Sequence, residues 1–381
     1  MKLLVISHTP HYKKEGRVVG WGATVREIDQ LAKLFSEVVH IAPLHEEAAP
    51  ASSLPYENAS ITLRPVLASV GDGFFHHLDL LLKMPVYGRI ILDELKRTDA
   101  VHVRCPAAIS LFSVVFLFFV KNPKIRWIKY AGNWRPVGRE PRSYTFQRWW
   151  LEKNFHRGLV TVNGKWPGQP AHIHSFLNPC LTTEELKEAE TLSRGKKLSE
   201  PLRLLFAGRL ETEKGAGRCL QIGSELFKKK ISFYFDFIGD DPEREKFEAM
   251  ARDLQINQSV KFHGWLSRQR LNALYAEAHF ILLPSTASEG WPKVLSEAMG
   301  YGIVPLASTV GGIPCYLREM KIGGAFDPRQ VSDFVDSLCG YLHSPEKWRA
   351  ESILAMKAAG NFSYDHYLKA VEQLLFKGVP S

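Results

Sequence analysis

LRLLFAGRLETEKG (residues 202–215) and FILLPSTASEGWPKVLSEAMGYGIVPLAS (residues 280–308) decide the fold of this chain. Each opens on a short apolar run, breaks at glycine or proline, and passes through a polar loop into a helical pattern. Continuous apolar runs of this length are strands buried on both faces, and such strands belong to parallel sheets with crossover helices. Working outward, the same grammar continues at Phe233 to Gly239, Val260 to His263 and Val304 to Ser308. It also opens the chain. Leu3 to Ser7 reads as a strand, a polar glycine-containing loop follows, and Ala23 to Phe35 spaces its apolar residues three and four apart as a helix does. Val38 to Pro43 is the next strand. The expectation is an α/β protein of two doubly wound Rossmann-like halves: 1–180, then 181–363, with a terminal helix from Tyr364 to Phe376 inside a closing segment 364–381.

Composition agrees. The 381 residues suit about two domains, and 45% apolar with 23% charged residues is a globular profile rather than a disordered one. Five scattered cysteines with no CxxC pair point to reduced thiols in a cytoplasmic setting and away from a cysteine metal site. Pro106 to Val120 is apolar but shorter than the roughly 18–20 residues that cross a bilayer, so it reads as a helix packed on the sheet.

Net charge is +9, and +8 of it lies between Lys121 and Arg157, where ten Lys/Arg face only Glu140 and Glu152. Aromatics, among them Trp127, Trp134, Trp149 and Trp150, are interleaved. Such a stretch suits an anionic partner such as a membrane surface or a phosphorylated acceptor. It is equally what a solvated face over core tryptophans looks like. Nucleic acid ranks last as a partner.

In open parallel sheets ligands bind beyond the carboxyl ends of the strands, so those loops are where chemistry is sought. Gly20-Trp-Gly22 precedes a helix, and Val25 stands where a dinucleotide fingerprint needs its third glycine. Arg209 and Lys214 sit in the loop after Ala207: a planar fork and a mobile point charge suited to a diphosphate, or a surface pair neutralised by Glu211 and Glu213. Glu289 lies in the loop after Pro284 and Glu297 in the following helix, with Pro292 suited to that helix's first turn. Carboxylates accept two hydrogen bonds from vicinal sugar hydroxyls. Gly311-Gly312 adds another strand-end loop. His102 reads as a satisfied core histidine, and Asp240-Asp241 lacks the third ligand of a metal site.

These residues carry a resemblance. The Glu-x7-Glu element from Glu289 to Glu297, with FAGRLETEKG, FIGDDPERE and VKFHGWLSRQRLNALYAEAHFILLPS in the same order, resembles the retaining glycosyltransferases of the GT-B fold that use nucleotide-sugar donors (family four, glycosyl transferases group 1). It spans most of Leu202 to Pro314; the N-terminal half matches in outline. The resemblance implies that Arg209 and Lys214 hold the donor diphosphate, Glu289 contacts the transferred sugar and Glu297 the ribose. It places backbone of Gly290, Trp291, Pro292, Lys293 and Val294 along phosphate and sugar, Gly264, Trp265 and Leu266 beside the base, and Gly22 where donor meets acceptor, in a cleft between the two halves. The family's N-terminal histidine is replaced by Ala131, which leaves Arg104, Lys129 and Asn133 as acceptor-side candidates. It implies transfer from a nucleoside diphosphate sugar to a saccharide or lipid-linked acceptor hydroxyl in cell-surface polysaccharide or glycolipid synthesis, with no cofactor and no essential metal. The location it implies is cytoplasmic, peripheral on the inner face of the membrane if 121–157 docks there. A non-catalytic nucleotide-sugar-binding scaffold and a GT-B epimerase are the alternatives.

Overall fold

The computed structural model describes residues 1–68, 73–136, 138 and 140–376, with the side chains of 73–81 outside that description. Two compact units emerge: Met1–Phe176 together with the chain from Leu368, and Leu177–Tyr367.

The first unit runs β1 (Lys2–Ile6), β2 (His11–Lys14), β3 (Arg17–Trp21), α1 (Gly22–Leu31), β4 (Glu37–Leu44), β5 (Ser53–Pro55), β6 (Ile61–Leu67), α2 (Gly73–Leu95), β7 (Ala100–Cys105), α3 (Ala108–Phe119), β8 (Ile125–Tyr130), α4 (Arg142–Glu152), β9 (Leu159–Val162) and β10 (Ile173–Ser175). Its parallel core is ordered β6-β4-β1-β7-β8-β9-β10, set by registers such as Leu4 beside Val39 and Val5 beside His102. Strands flanked by partners and covered on both faces read as near-continuous apolar runs, and Leu3 to Ile6 are buried without a break.

The segment after β1 departs from the expected irregular loop. It folds as the β2–β3 hairpin, turning at Glu15 and Gly16, both with positive φ, before α1 begins at Gly22. Alternation is weak there because β2 is buried only at His11, so period-two patterning left no trace. α1 ends at Leu31, and Ala32–Leu34 tighten into a 3₁₀ turn.

The apolar stretch read as a packed helix is α3, which presses Ile109, Val114 and Leu117 into the core and leaves Phe119 exposed. No helix among the described residues is long and apolar enough to cross a membrane.

The second unit contains α5 (Thr183–Leu192), β11 (Leu202–Ala207), α6 (Ala216–Lys228), β12 (Phe233–Ile238), α7 (Arg244–Asp253), β13 (Val260–Phe262), α8 (Arg268–Glu277), β14 (Phe280–Leu283), α9 (Lys293–Gly300), β15 (Val304–Ser308), α10 (Ile313–Met320), β16 (Gly324–Phe326), α11 (Val331–His343), α12 (Pro345–Ala359) and α13 (Tyr364–Phe376). From Leu368, α13 clusters with the first unit, where the ring of Phe376 meets that of Phe35. The second sheet is parallel throughout, ordered β13-β12-β11-β14-β15-β16. Strand order therefore reverses between β11 and β14, and between β1 and β7 in the first unit. At such a reversal the crossover helices leave to opposite faces, opening a crevice at the carboxyl ends of the two strands.

Much of the basic segment proves internal. Arg126 is buried and donates to the carbonyls of Pro123, Leu117, His156 and Val120. Lys129 is buried, Arg148 pairs with Glu140, and Arg135 with Glu152. Trp127 and Trp134 are core residues. Lys121, Lys124, Arg142, Lys153 and Arg157 remain on the surface beside exposed Phe119, Phe146 and Trp149; Arg139 lies outside the described residues.

Candidate functional site

The reversal between β11 and β14 brings Lys214 and Glu289 together. Lys214 Nζ donates to Glu289 Oε1 at 2.6 Å, and Ser285 Oγ reaches the same oxygen at 3.2 Å. The two loops are bolted to each other by backbone contacts. The Glu213 carbonyl accepts from Thr286 N (2.8 Å), and Arg218 Nε, on α6, donates to the carbonyl of Pro284 (2.5 Å). Gly215 makes the close approach possible: its φ is +97°, and a Cβ there would lie 2.4 Å from the Pro284 carbonyl oxygen.

Behind Glu289 stands the loop after β15. Gly312 N donates to the Gly290 carbonyl at 2.9 Å, and a Cβ on Gly311 (φ +60°) would lie 1.9 Å from the Glu289 carbonyl oxygen. The loops after β11 and β14 thus hold the Glu289 carboxylate, and the loop after β15 holds its backbone. Pro292 precedes α9 as its N-cap rather than opening its first turn; α9 has no side-chain cap and no acid in that turn. Its positive end faces forward without a carboxylate of its own.

Arg209 is placed differently. Its side chain is 60% exposed and pairs with Glu211 at 2.5 Å, the local pairing that the loop's own acids allow. Glu297 is held by Arg268 (3.4 Å) and by the hydroxyl of Tyr275 (3.4 Å). Burial works against the charge on Arg268, but Glu297 and Glu185 outweigh it and raise its pKa. Tyr275 is fully buried, and desolvation together with Glu297 pushes its phenol well up. Trp291 turns its ring inward, stacked on Phe362 at 5.2 Å, so only its backbone is available to a ligand. Asn178 Nδ2 already donates to that carbonyl at 3.5 Å. Gly264 pairs with Gly239 across a bridge, Trp265 is exposed, and Leu266 packs against the core. Lys293 and Val294 open α9.

Gly22, Arg104, Lys129 and Asn133 belong to the first unit. Gly22 N donates to the Ser52 carbonyl at 3.1 Å, a packing role. Arg104 and Lys129 are register partners near the ends of β7 and β8, and both reach Glu27 of α1: Arg104 Nη1 at 2.7 Å and Lys129 Nζ at 2.6 Å from Oε1. Glu27 is wholly buried. Sequence reading passed over it, although it falls on the apolar stripe of α1 with Thr24, Val25, Ile28 and Leu31, where an acid needs a cation. Asn133 Oδ1 accepts from Arg135 N at 3.0 Å.

His102 is buried, stacked on Trp127 at 3.8 Å, and its Nδ1 meets the Trp127 carbonyl at 3.3 Å. Burial, then Arg104, keeps it well below the usual histidine range, as a core residue. Asp240 pairs with Arg244 at 3.7 Å. At the reversal between β1 and β7 a cavity of about 320 Å³ opens, lined by His8, Pro43, Tyr87, Pro106, Ile109 and Tyr144 among others. His8 is lowered by burial and then by Arg104.

A model of the family described as glycosyl transferases group 1 matches residues 188–353. The lipopolysaccharide 1,6-galactosyltransferase of Salmonella typhimurium is 30% identical over 161 residues, which are 40% of this chain and 43% of that one. Other curated relatives are likewise matched over about half their length or less. Among solved structures, sucrose-phosphate synthase from Thermosynechococcus elongatus superposes with a TM-score of 0.71 at 17% identity, covering 99% of this chain and 100% of that one. Anabaena Alr3699/HepE, in complex with UDP and glucose, gives a TM-score of 0.65 at 15% identity over 98% of both chains. The chain is thus of GT-B fold, with residues 188–353 similar to the glycosyl transferases group 1 family.

Proposed function

We propose that this protein transfers a sugar from a uridine diphosphate sugar to an acceptor hydroxyl, with retention at the anomeric carbon, in the synthesis of a surface polysaccharide or glycolipid. The observation that carries this reading is the meeting of Lys214 and Glu289 at the strand-order reversal, beside the uncapped start of α9. A diphosphate laid there would meet the ammonium of Lys214 and the amide dipoles of α9, while Glu289 would accept from sugar hydroxyls. The choice of UDP is supported by the similar fold of Anabaena Alr3699/HepE, solved with UDP and glucose.

In this mechanism the anomeric C–O bond breaks with oxocarbenium character. Negative charge grows on the leaving diphosphate, and Lys214 and the α9 amides stabilise it without reorganising. Arg209 joins them on leaving Glu211, a short swing for an exposed side chain. The leaving oxygen takes the proton of the acceptor hydroxyl as that hydroxyl attacks the same face. Glu297 would bind the ribose. No cofactor is needed, and cationic side chains in place of a metal make the reaction insensitive to chelator.

The cavity beside His8 and Tyr87 is the place for the acceptor, its aromatic and proline walls suited to the carbon face of a sugar. The surviving surface cations, Lys121, Lys124, Arg142, Lys153 and Arg157, with exposed Phe119 and Trp149, fit an anionic membrane. Vesicle sedimentation that ignored anionic lipid content would remove that docking role.

The deciding test is a thermal-shift panel of UDP, GDP, ADP and CMP on the native chain and on Glu297→Ala. UDP at ~100 times its dissociation constant should stabilise by about 2.7 kcal/mol and lose that effect in the variant. Proton NMR of the product then reads the anomeric configuration. No response to any nucleotide would favour a non-catalytic scaffold; an inverted product would overturn retention.

A further inference from the structure

On the opposite, amino-terminal edge of the second sheet lies a cavity of about 240 Å³ that the reaction above does not use. One wall is the segment between α5 and β11 and the other is α12, with Ile353 and Met356 as apolar lining and the buried Tyr301 and Trp348 behind them. Arg194, Lys196, Lys197 and Arg349 all line it. None of the four makes an ion pair among the described residues. Glu190 is the lone acid on the wall and pairs with none of them.

Lys196 is the informative member. Its ammonium donates to the carbonyls of Ala278 (2.8 Å) and Tyr275 (3.2 Å), at the C-terminal end of α8. An ammonium has three protons, so one donor remains for the cavity. Desolvation draws its pKa down to about 7, the expected result when a cation is taken from water without a counter-charge. His279, just beneath, is itself lowered to about 4 by burial and then by Lys196.

Helix ends account for part of this charge. Arg194, Lys196 and Lys197 follow the C-terminus of α5, and Lys196 also meets the C-terminal end of α8, where cations complement the dipole. Arg349 has no such reason: it lies in the first turns of α12, whose positive end disfavours it. Four unpaired cations beside the apolar side chains of Ile353 and Met356 are the complement of an anion with a compact carbon body.

We propose that this cavity is a second ligand site, distinct from the donor site, which binds a small organic phosphate such as a sugar phosphate: phosphate on Arg194, Lys196 and Arg349, carbon skeleton against Ile353 and Met356. The site stands whether or not the chain transfers sugars, because it shares no residue with the Lys214–Glu289 loops.

Isothermal titration calorimetry with glucose 1-phosphate, with inorganic phosphate alone as comparison, tests it. The full chain carrying Lys214→Ala removes the donor loop's cation from the measurement. In that background glucose 1-phosphate should bind in the presence of saturating UDP, more tightly than phosphate alone. Replacing the exposed pair, Arg194→Ser with Arg349→Ser, should weaken it at least about tenfold. Titrations in two buffers of different ionisation enthalpy near pH 7.5 should show proton uptake on binding, abolished in Lys196→Met. Retained melting temperature in the exposed double variant separates lost binding from lost folding. Binding displaced by UDP, binding indifferent to the Arg194/Arg349 pair, or none up to about 10 mM would each overturn the proposal.

Discussion

A Cβ on Gly215 would stand 2.4 Å from the carbonyl oxygen of Pro284, so the loops after β11 and β14 touch backbone to backbone at the point where strand order reverses. This contact sets the height at which Lys214 meets Glu289. Gly215→Ala adds a left-handed alanine, about 1–2 kcal/mol of backbone cost, to a clash that only main-chain movement relieves. The expected outcome is a folded protein with a lower Tm and weakened UDP binding. Unchanged Tm and unchanged UDP affinity would show that the loops are not held by this approach.

Lys214→Ala and Glu289→Gln separate the two partners. If each acts in the transition state, kcat should fall by about 10²–10³-fold, with a smaller change in KM. Steady-state kinetics with a UDP-sugar measures both. A rise in KM alone would assign the pair to ground-state binding.

Glu27 is a wholly buried carboxylate answered by Arg104 and Lys129. Removing it as Glu27→Ala leaves two cations with side-chain exposures of only 14% and 6%, an imbalance that costs about 3–5 kcal/mol when one partner of a buried ion pair is deleted. Chemical denaturation should show that loss. The triple variant Glu27→Leu, Arg104→Met, Lys129→Met should recover most of it, since no buried charge is left. If the triple is no better than the single, the cluster contributes by packing.

Acid should unfold the first unit early. His11 is lowered from 6.5 to about 4 and His156 to about 3, each chiefly by burial, and His40 and His102 lie well below the usual range for the same reason. A histidine kept neutral in the fold but free to protonate when unfolded stabilises fully above the unfolded value of 6.5. That contribution is lost as pH falls from 6.5 toward 4, at about 1.4 kcal/mol per pH unit for each such residue. Among the described residues His279 is the corresponding histidine of the second unit. Urea unfolding followed from pH 7.5 to about 4.5 should therefore show the first unit losing stability faster; parallel losses in both units would refute this.

Many of the buried strands were legible because doubly covered strands are mostly apolar: Phe280 to Leu283 and Val304 to Ser308 stand where their apolar runs put them. The β2–β3 hairpin was not, because only His11 and two residues of β3 are buried and no alternation survives. Lys214 and Glu289 were legible as loop residues of suitable chemistry. Their contact was not, since it joins positions far apart in the chain through a sheet register.

The sequence by itself determined what is local and periodic: which runs are strands, which loops end in glycine, and which residue types could meet a diphosphate. Only the tertiary structure decided which charges are partners. It joined Lys214 to Glu289, buried Arg126 against the His156 carbonyl among others, and gathered Arg104 and Lys129 on Glu27. A charge in the chain is only a type; its partner, its burial and hence its chemistry are set by strands and helices brought together from distant parts of the sequence.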